Sequence, residues 1–263
     1  MGAAVTGVAL VTGAARRLGR AMTLELARRG HDVAIHYAGS ADDAERTAAD
    51  ARALGVRAQT FQVDLLDADA TAALVPDVAS AMGSLTVLVN NASIFEYDTM
   101  RSATMQGWDR HLGSNLRAPF QLVQAFAAQC PKARPDENGE PQAAGLVVNM
   151  VDQRVLKPTP EFMTYSIAKA ALWSLTRTAA QALAPDIRVN AIGPGPTLQG
   201  ARQSDRHFAA QRAATVLGRG ADAQGITDAL GYFLDARAVT GQLICVDGGQ
   251  HLGWRTPDVL GPE

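Results

Sequence analysis

Tyr165 and Lys169 stand four residues apart in a stretch where Ile167, Ala170, Ala171, Leu172, Leu175 and Ala179 form an apolar stripe at helical spacing. Four residues are about one helical turn, so the phenol and the ammonium share a face with Cβ atoms about 6 Å apart. An ammonium beside a phenol favours the phenolate and lowers the phenol pKa from about 10, which suits proton transfer near neutral pH. The same spacing also describes an ordinary helix pair. Upstream, Asn149-Met150-Val151-Asp152 follows Gly145 and the apolar run Leu146-Val147-Val148, which reads as the end of a buried strand.

The elements that must position these residues alternate along the chain. Val8-Ala9-Leu10-Val11-Thr12 is a strand that runs into Gly13-Ala14-Ala15-Arg16-Arg17-Leu18-Gly19, and a helix follows that stops at Gly30. Strand, glycine turn and helix are the recipe for holding a pyrophosphate on backbone N–H groups at a positive helix end. The spacing is not the G-x-G-x-x-G fingerprint, and a tight turn alone would also account for it. The second strand, His31 to Tyr37, leads to Ala38-Gly39-Ser40 with no acidic residue before Asp42. An acid there would bind ribose hydroxyls and repel a 2′-phosphate. With Arg16 and Ser40 at hand the site suits NADPH over NADH, unless Arg16 is only a solvated charge.

Further strands are expected at Ala58–Val63, Leu85–Val89, Ile187–Ile192 and Gln242–Val246. Helices are expected over about 41–54, 68–82 and 223–234. A long helix over about 105–129 carries Asn115, with Pro119 predicting a kink close by. Residues 132–143 read as a surface loop, and 197–220 as a polar, irregular stretch suited to a substrate lid over 198–219. Seven strands alternating with helices imply one domain over 1–263: an α/β, doubly wound, Rossmann-type fold with a seven-stranded parallel sheet. Ligands of such sheets bind beyond the strands' carboxyl ends, where Gly13, Ser93, Asp152 and Pro194 each follow a strand.

Composition removes several function classes. The chain has 263 residues, 47% hydrophobic and 19% charged, with a formal charge of −2 that makes no electrostatic case for nucleic acid or an anionic membrane. Cys130 and Cys245 form neither a disulfide framework nor a metal cluster, so no metal is expected. No apolar run approaches the roughly 20 residues of a membrane helix. Met1-Gly2 with Thr6 fits a myristoylation pattern on paper, but strand-like residues begin almost at once. Without the basic-apolar order of a signal peptide, the expected location is cytoplasmic.

Taken together, Thr12-Gly13-x5-Gly19, Asp64, Asn90-Asn91-Ala92, Asn115, Tyr165-x3-Lys169, Pro194-Gly195 and Asp247-Gly248-Gly249 resemble the short-chain dehydrogenase/reductase family over nearly the whole chain. The resemblance implies a catalytic role for Asn115, Tyr165 and Lys169. Tyr165 would give the proton, Lys169 would lower its pKa and hold the nicotinamide ribose, and Asn115 would anchor a water. It also implies that Gly13, Arg16, Arg17, Leu18, Gly19, His36, Tyr37, Ser40, Asp64, Leu65, Asn91, Ala92, Ser93, Pro194, Gly195 and Thr197 surround the cofactor. Most members carry glycine at Arg17 and serine at Asp152. These two departures, with Ser93-x-Phe95, resemble the pteridine reductase branch, where Arg17 and Ser93 would line the pterin and Phe95 would stack on it.

The charge of Asp152 favours the same direction. A carboxylate at Asp152 would repel the developing oxyanion of a ketone, which costs several kcal/mol (roughly) in a dry site. A heterocycle with N–H and amino donors reverses that sign, and Asp152 beside Tyr165 can relay a proton to a ring nitrogen. The expected activity is therefore NADPH-dependent reduction of a dihydropterin or dihydrofolate. A carbonyl reductase of the β-ketoacyl type stands as the alternative, with Asp152 protonated or capping a turn and Phe95 a core aromatic. A non-catalytic NADP(H)-binding protein stands behind both. The family resemblance implies a homo-oligomer, with a tetramer favoured.

Overall fold

The computed structural model describes residues 7–200 and 203–254; the Met1-Gly2-Thr6 pattern, Ala201 and Arg202 lie outside the described residues. The chain begins β1 (Val8–Val11), α1 (Arg17–Arg28), β2 (Asp32–Tyr37), α2 (Ala41–Ala53), β3 (Ala58–Gln62), α3 (Ala68–Met82) and β4 (Leu85–Asn90). It continues with α4 (Met105–Leu112), α5 (Ala118–Gln129), a short hairpin of β5 (Arg134–Pro135) and β6 (Pro141–Gln142), and β7 (Gly145–Met150). The last part holds α6 (Met163–Ala182), β8 (Ile187–Pro194), α7 (Asp205–Ala213), α8 (Ala223–Asp235) and β9 (Leu243–Val246).

Seven of these strands form one parallel sheet in the order β3-β2-β1-β4-β7-β8-β9. Its central strands β1, β4 and β7 are buried throughout, which is why they read as continuous apolar runs rather than alternating ones. Side chains still divide by parity. Ala9 and Val11 join Met22, Leu26, Ile226 and Phe233 on the α1/α2/α8 face. Val8 and Leu10 join Leu74, Val78, Leu122 and Phe126 on the opposite face. The strand order reverses between β1 and β4, so the loops after those strands diverge and open a crevice at the sheet's carboxyl edge.

Three expectations need correction. The helix over 105–129 is two helices joined by a π-helical turn, Gly113–Arg117, which carries Asn115. Pro119 has no N–H to donate back to the carbonyl four residues earlier, and the ladder widens there. The stretch 132–143 contains the β5/β6 hairpin, its turn organised by the Asp136 carboxylate, which accepts from Asn138 N (2.8 Å) and Glu140 N (3.0 Å). The stretch 197–220 is not irregular throughout: α7 forms inside it, and the Ser204 hydroxyl caps the helix by accepting from His207 N. Among the described residues, no helix is long and apolar enough to cross a membrane.

Candidate active site

The crevice is an open cleft of about 1630 Å³, larger than the usual pocket for one small ligand. The glycine turn forms its floor. Gly13 sits at φ +62° with Ala92 against its α-carbon, and a Cβ on Gly19 would collide with the Gly13 carbonyl. Thr12 and Asn91 tie this turn to the end of β4. Thr12 Oγ1 accepts from Asn91 N (2.9 Å) and Ala92 N (3.0 Å), and Asn91 Nδ2 donates to Thr12 O and Gly13 O.

His36 supplies a third tie. Gly13 N–H donates to His36 Nδ1 at 3.0 Å, so Nε2 carries the ring proton and donates to Val63 O, also at 3.0 Å. Burial holds this imidazole below its ordinary pKa, against smaller opposing pulls from the Val63 carbonyl and Asp64, which keeps Nδ1 an acceptor.

Two helices present their N-termini to the cleft without side-chain caps. Arg16 and Ser40, at the capping positions of α1 and α2, make no capping hydrogen bond, whereas Asp67, Thr104 and Asp222 cap α3, α4 and α8. First-turn N–H groups have no intrahelical partner, and a helix N-terminus favours anions. A turn closed by the near approach of Gly13 and Gly19, followed by an uncapped helix end, fits a pyrophosphate, and Ser40 at the start of α2 fits a further phosphate. Arg16 is exposed and pairs with Asp43 at 3.5 Å; Arg46 pairs with the same carboxylate. Arg17 adopts a left-handed conformation, φ +54°, at the position where the family resemblance anticipates glycine. Its guanidinium donates to Leu198 O (3.0 Å) and Gln199 O (2.8 Å), which fastens the segment after β8 to the glycine turn.

Leu18, Tyr37, Asp64, Leu65, Ser93, Phe95, Pro194, Gly195 and Thr197 line the same cleft, as do Asp152 and Tyr165. Asp64 Oδ1 accepts from Leu66 N, and Thr197 Oγ1 donates to Gly195 O. Lys169 and Asn115 lie behind the wall, 2% and 0% exposed. Asn115 holds both polar atoms of Ile94, accepting from its N–H at 3.0 Å and donating to its carbonyl at 2.9 Å.

Asp152, at the end of β7, uses both carboxylate oxygens. Oδ1 accepts from Arg154 N at 2.9 Å and caps the 3-10 turn Gln153–Val155. Oδ2 accepts from the Tyr165 hydroxyl at 3.0 Å. One carboxylate oxygen thus caps a turn while the other accepts from the phenol.

The Tyr165 phenol shifts in the opposite direction from the one expected beside Lys169, and the causes are burial and Asp152. Burial, the Asp152 charge and the hydrogen bond to Asp152 push the phenol well above its ordinary pKa of 10. Lys169 Nζ donates to Met150 O at 2.7 Å and lies 5.7 Å from the centre of the phenol ring, so Asp152 is the charged group bonded to the phenol. Burial brings Lys169 itself down to about 8, with Asp152 opposing. Tyr165 thus keeps its proton, which its hydroxyl donates to the Asp152 carboxylate.

Several cleft residues carried no sequence signal that singled them out. Phe162 is three residues before Tyr165 at the start of α6, with φ +53°, and its ring stacks on Phe95 at 4.3 Å. The edge of Phe95 meets Tyr165 at 4.7 Å. Arg154 lies over both phenylalanines, 5.6 and 5.0 Å from their centres, and 4.0 Å from the Asp152 carboxylate. One face of Phe95, expected against a pterin, is therefore covered by Phe162.

Comparison with known proteins places the chain among reductases. A family model described as enoyl-(acyl carrier protein) reductase matches residues 13–251. The 3-oxoacyl-[acyl-carrier-protein] reductase FabG of Staphylococcus aureus is 32% identical over 94% of this chain and 99% of its own. Pteridine reductase 1 of Leishmania tarentolae is 34% identical over 93% of this chain and 96% of its own. The crystal structure of FolM alternative dihydrofolate reductase 1 from Brucella canis, complexed with NADP, superposes with a TM-score of 0.89 at 42% identity, covering 98% of both chains. With the parallel sheet, the glycine turn and Tyr165 and Lys169 in place, the chain belongs to the short-chain dehydrogenase/reductase family.

Proposed function

We propose that this protein is an NADPH-dependent reductase acting on a C=N bond of a dihydropterin or dihydrofolate. The observation that carries the reading is the hydrogen bond from Tyr165 to Asp152: a carboxylate beside the phenol disfavours a ketone oxygen, which would need a donor there. The resemblance to FolM and to pteridine reductase 1 supports the same substrate class. NADP in the Brucella structure, together with the two uncapped helix ends and Ser40, supports NADPH as cofactor.

When bound, NADPH supplies the hydride, which reduces the ring carbon of the C=N bond. The proton for the adjacent nitrogen comes from the Tyr165–Asp152 pair, so one hydride and one proton convert C=N to CH–NH. Asp152 accepts hydrogen bonds from the ring N–H and amino groups and holds the heterocycle in orientation. Lys169, a buried cation at neutral pH, restores positive charge behind the phenol as its proton leaves. Asn115 keeps Ile94 and the segment bearing Ser93 and Phe95 at the edge of the site.

Residues 198–219, fastened by Arg17 and containing α7, serve as the substrate lid of a single reductase domain. The family resemblance and the exposed Phe120 and Ile167 on α5 and α6 support a homotetramer. The similarity to FabG favours reduction of a β-ketoacyl thioester as the second reading. NADPH oxidation against dihydropterins, dihydrofolate and an acetoacetyl thioester separates the two. Turnover of the thioester without turnover of any pteridine would overturn the proposal.

A further inference from the structure

Asp98, His111 and Thr164 form a buried polar chain that none of the chemistry above uses. They come from three elements: the loop after β4, α4 and the first turn of α6. Their exposures are 7%, 1% and 3%. The direction of every proton follows from one end. Glu96 N–H donates to His111 Nε2 at 3.1 Å, so the ring proton resides on Nδ1. His111 Nδ1 donates to Thr164 Oγ1 at 2.6 Å, and the Thr164 hydroxyl in turn donates to Asp98 Oδ2. Asp98 Oδ1 accepts from Thr164 N at 3.2 Å, and the Asp98 carbonyl accepts from Phe162 N at 2.8 Å. Burial depresses the imidazolium form of His111, with Asp98 and Glu96 opposing, which agrees with a neutral ring that both accepts and donates.

The partners fall on alternate residues of one segment. Residue 94 is held by Asn115, residue 96 by His111, and residue 98 by Thr164 and Phe162. The intervening Phe95 and Tyr97 line the cleft, and both rings meet Phe162. Fixing the backbone at residues 94, 96 and 98 limits where the side chains of 95 and 97 between them can point. We infer that the Asp98–Thr164–His111 chain is a positioning clamp, which sets Phe95 against Tyr165 and thereby shapes the substrate side of the cleft. These residues act through Phe95 and through the His111 ring, whose centre lies 6.2 Å from that of Tyr165, and none of the three lines the cleft. Thr164 is the junction, since its backbone and its hydroxyl both hold Asp98 while the next residue is Tyr165.

The test compares Thr164→Val, which keeps shape and removes the hydroxyl, with Thr164→Ser, which restores it. Amide hydrogen exchange over residues 94–98 reads the clamp directly and needs no substrate. Exchange should be at least about tenfold faster in Thr164→Val and within about twofold of wild type in Thr164→Ser. The kinetic arm rests on the pteridine reading. KM for the pteridine should rise at least about fivefold in Thr164→Val, with kcat and the KM for NADPH within about twofold. Wild-type exchange in Thr164→Val, or a parallel rise in both KM values, overturns the clamp. A wild-type enzyme inactive on pteridines defeats the proposed function, and the exchange arm then judges the clamp alone. Should Thr164→Val fail to fold, Asp98→Ala removes the acceptor for the same hydroxyl and is read by the same measurements.

Discussion

At the residue scale the site turns on where charge sits. Tyr165 holds its proton because it is buried and bonded to a carboxylate, while Lys169 is a cation whose pKa burial has lowered from 10.5 to about 8. That shift corresponds to roughly 3 kcal/mol against the charged form. Its sign is fixed: a depressed folded-state value contributes stability above the unfolded pKa of 10.5 and loses it as pH falls through about 8. At pH 7, Lys169 therefore costs stability that function requires. Lys169→Met should raise the Tm at pH 7 while lowering kcat/KM at least about 100-fold. Calorimetry and steady-state assays check both halves, and a lower Tm would contradict the burial account. In the wild type, turnover should decline as pH rises through about 8 and Lys169 loses its charge.

At the element scale, the glycine turn shows what the sequence could and could not disclose. Gly13 and Gly19 were legible because only a residue without Cβ tolerates such close backbone approach. Gly19→Ala would drive a Cβ into Gly13 O and toward Asn91 Nδ2. NADPH affinity should fall at least about tenfold by fluorescence titration, with a stability loss of about 1–3 kcal/mol. Unchanged affinity would remove the turn from the cofactor site. The ties that hold this turn were less legible. His36 acts through a ring nitrogen facing a backbone N–H 23 residues away, and no local pattern encodes that pairing. The same holds for His111 and Asp98, whose partner Thr164 lies on α6, beyond β7. The π-helical turn was half legible: Pro119 announced a break, but not which backbone groups would widen.

For the whole molecule, seven apolar runs alternating with helices sufficed to anticipate the parallel sheet, because buried parallel strands leave a continuous apolar signal. The β5/β6 hairpin and α7 escaped because both are short, polar and exposed, with no apolar period to read. The direction of the phenol's shift was not legible: helical spacing paired Tyr165 with Lys169, whereas burial first, and then Asp152, raise its pKa. The α5 and α6 surfaces leave Phe120 and Ile167 about half exposed, 49% and 42%. Sedimentation should give four times the 27.7 kDa chain mass, and Phe120→Glu should reduce it. A wild-type monomer would contradict the tetramer.

The most direct test of the central claim is NADPH oxidation by wild type and Asp152→Ser, with a dihydropterin and an acetoacetyl thioester as paired substrates. The account predicts that wild type reduces the dihydropterin, and that Asp152→Ser lowers kcat/KM for it at least about 100-fold while thioester reduction holds or rises. Full dihydropterin turnover by Asp152→Ser would contradict the assignment of Asp152 to substrate orientation and proton relay.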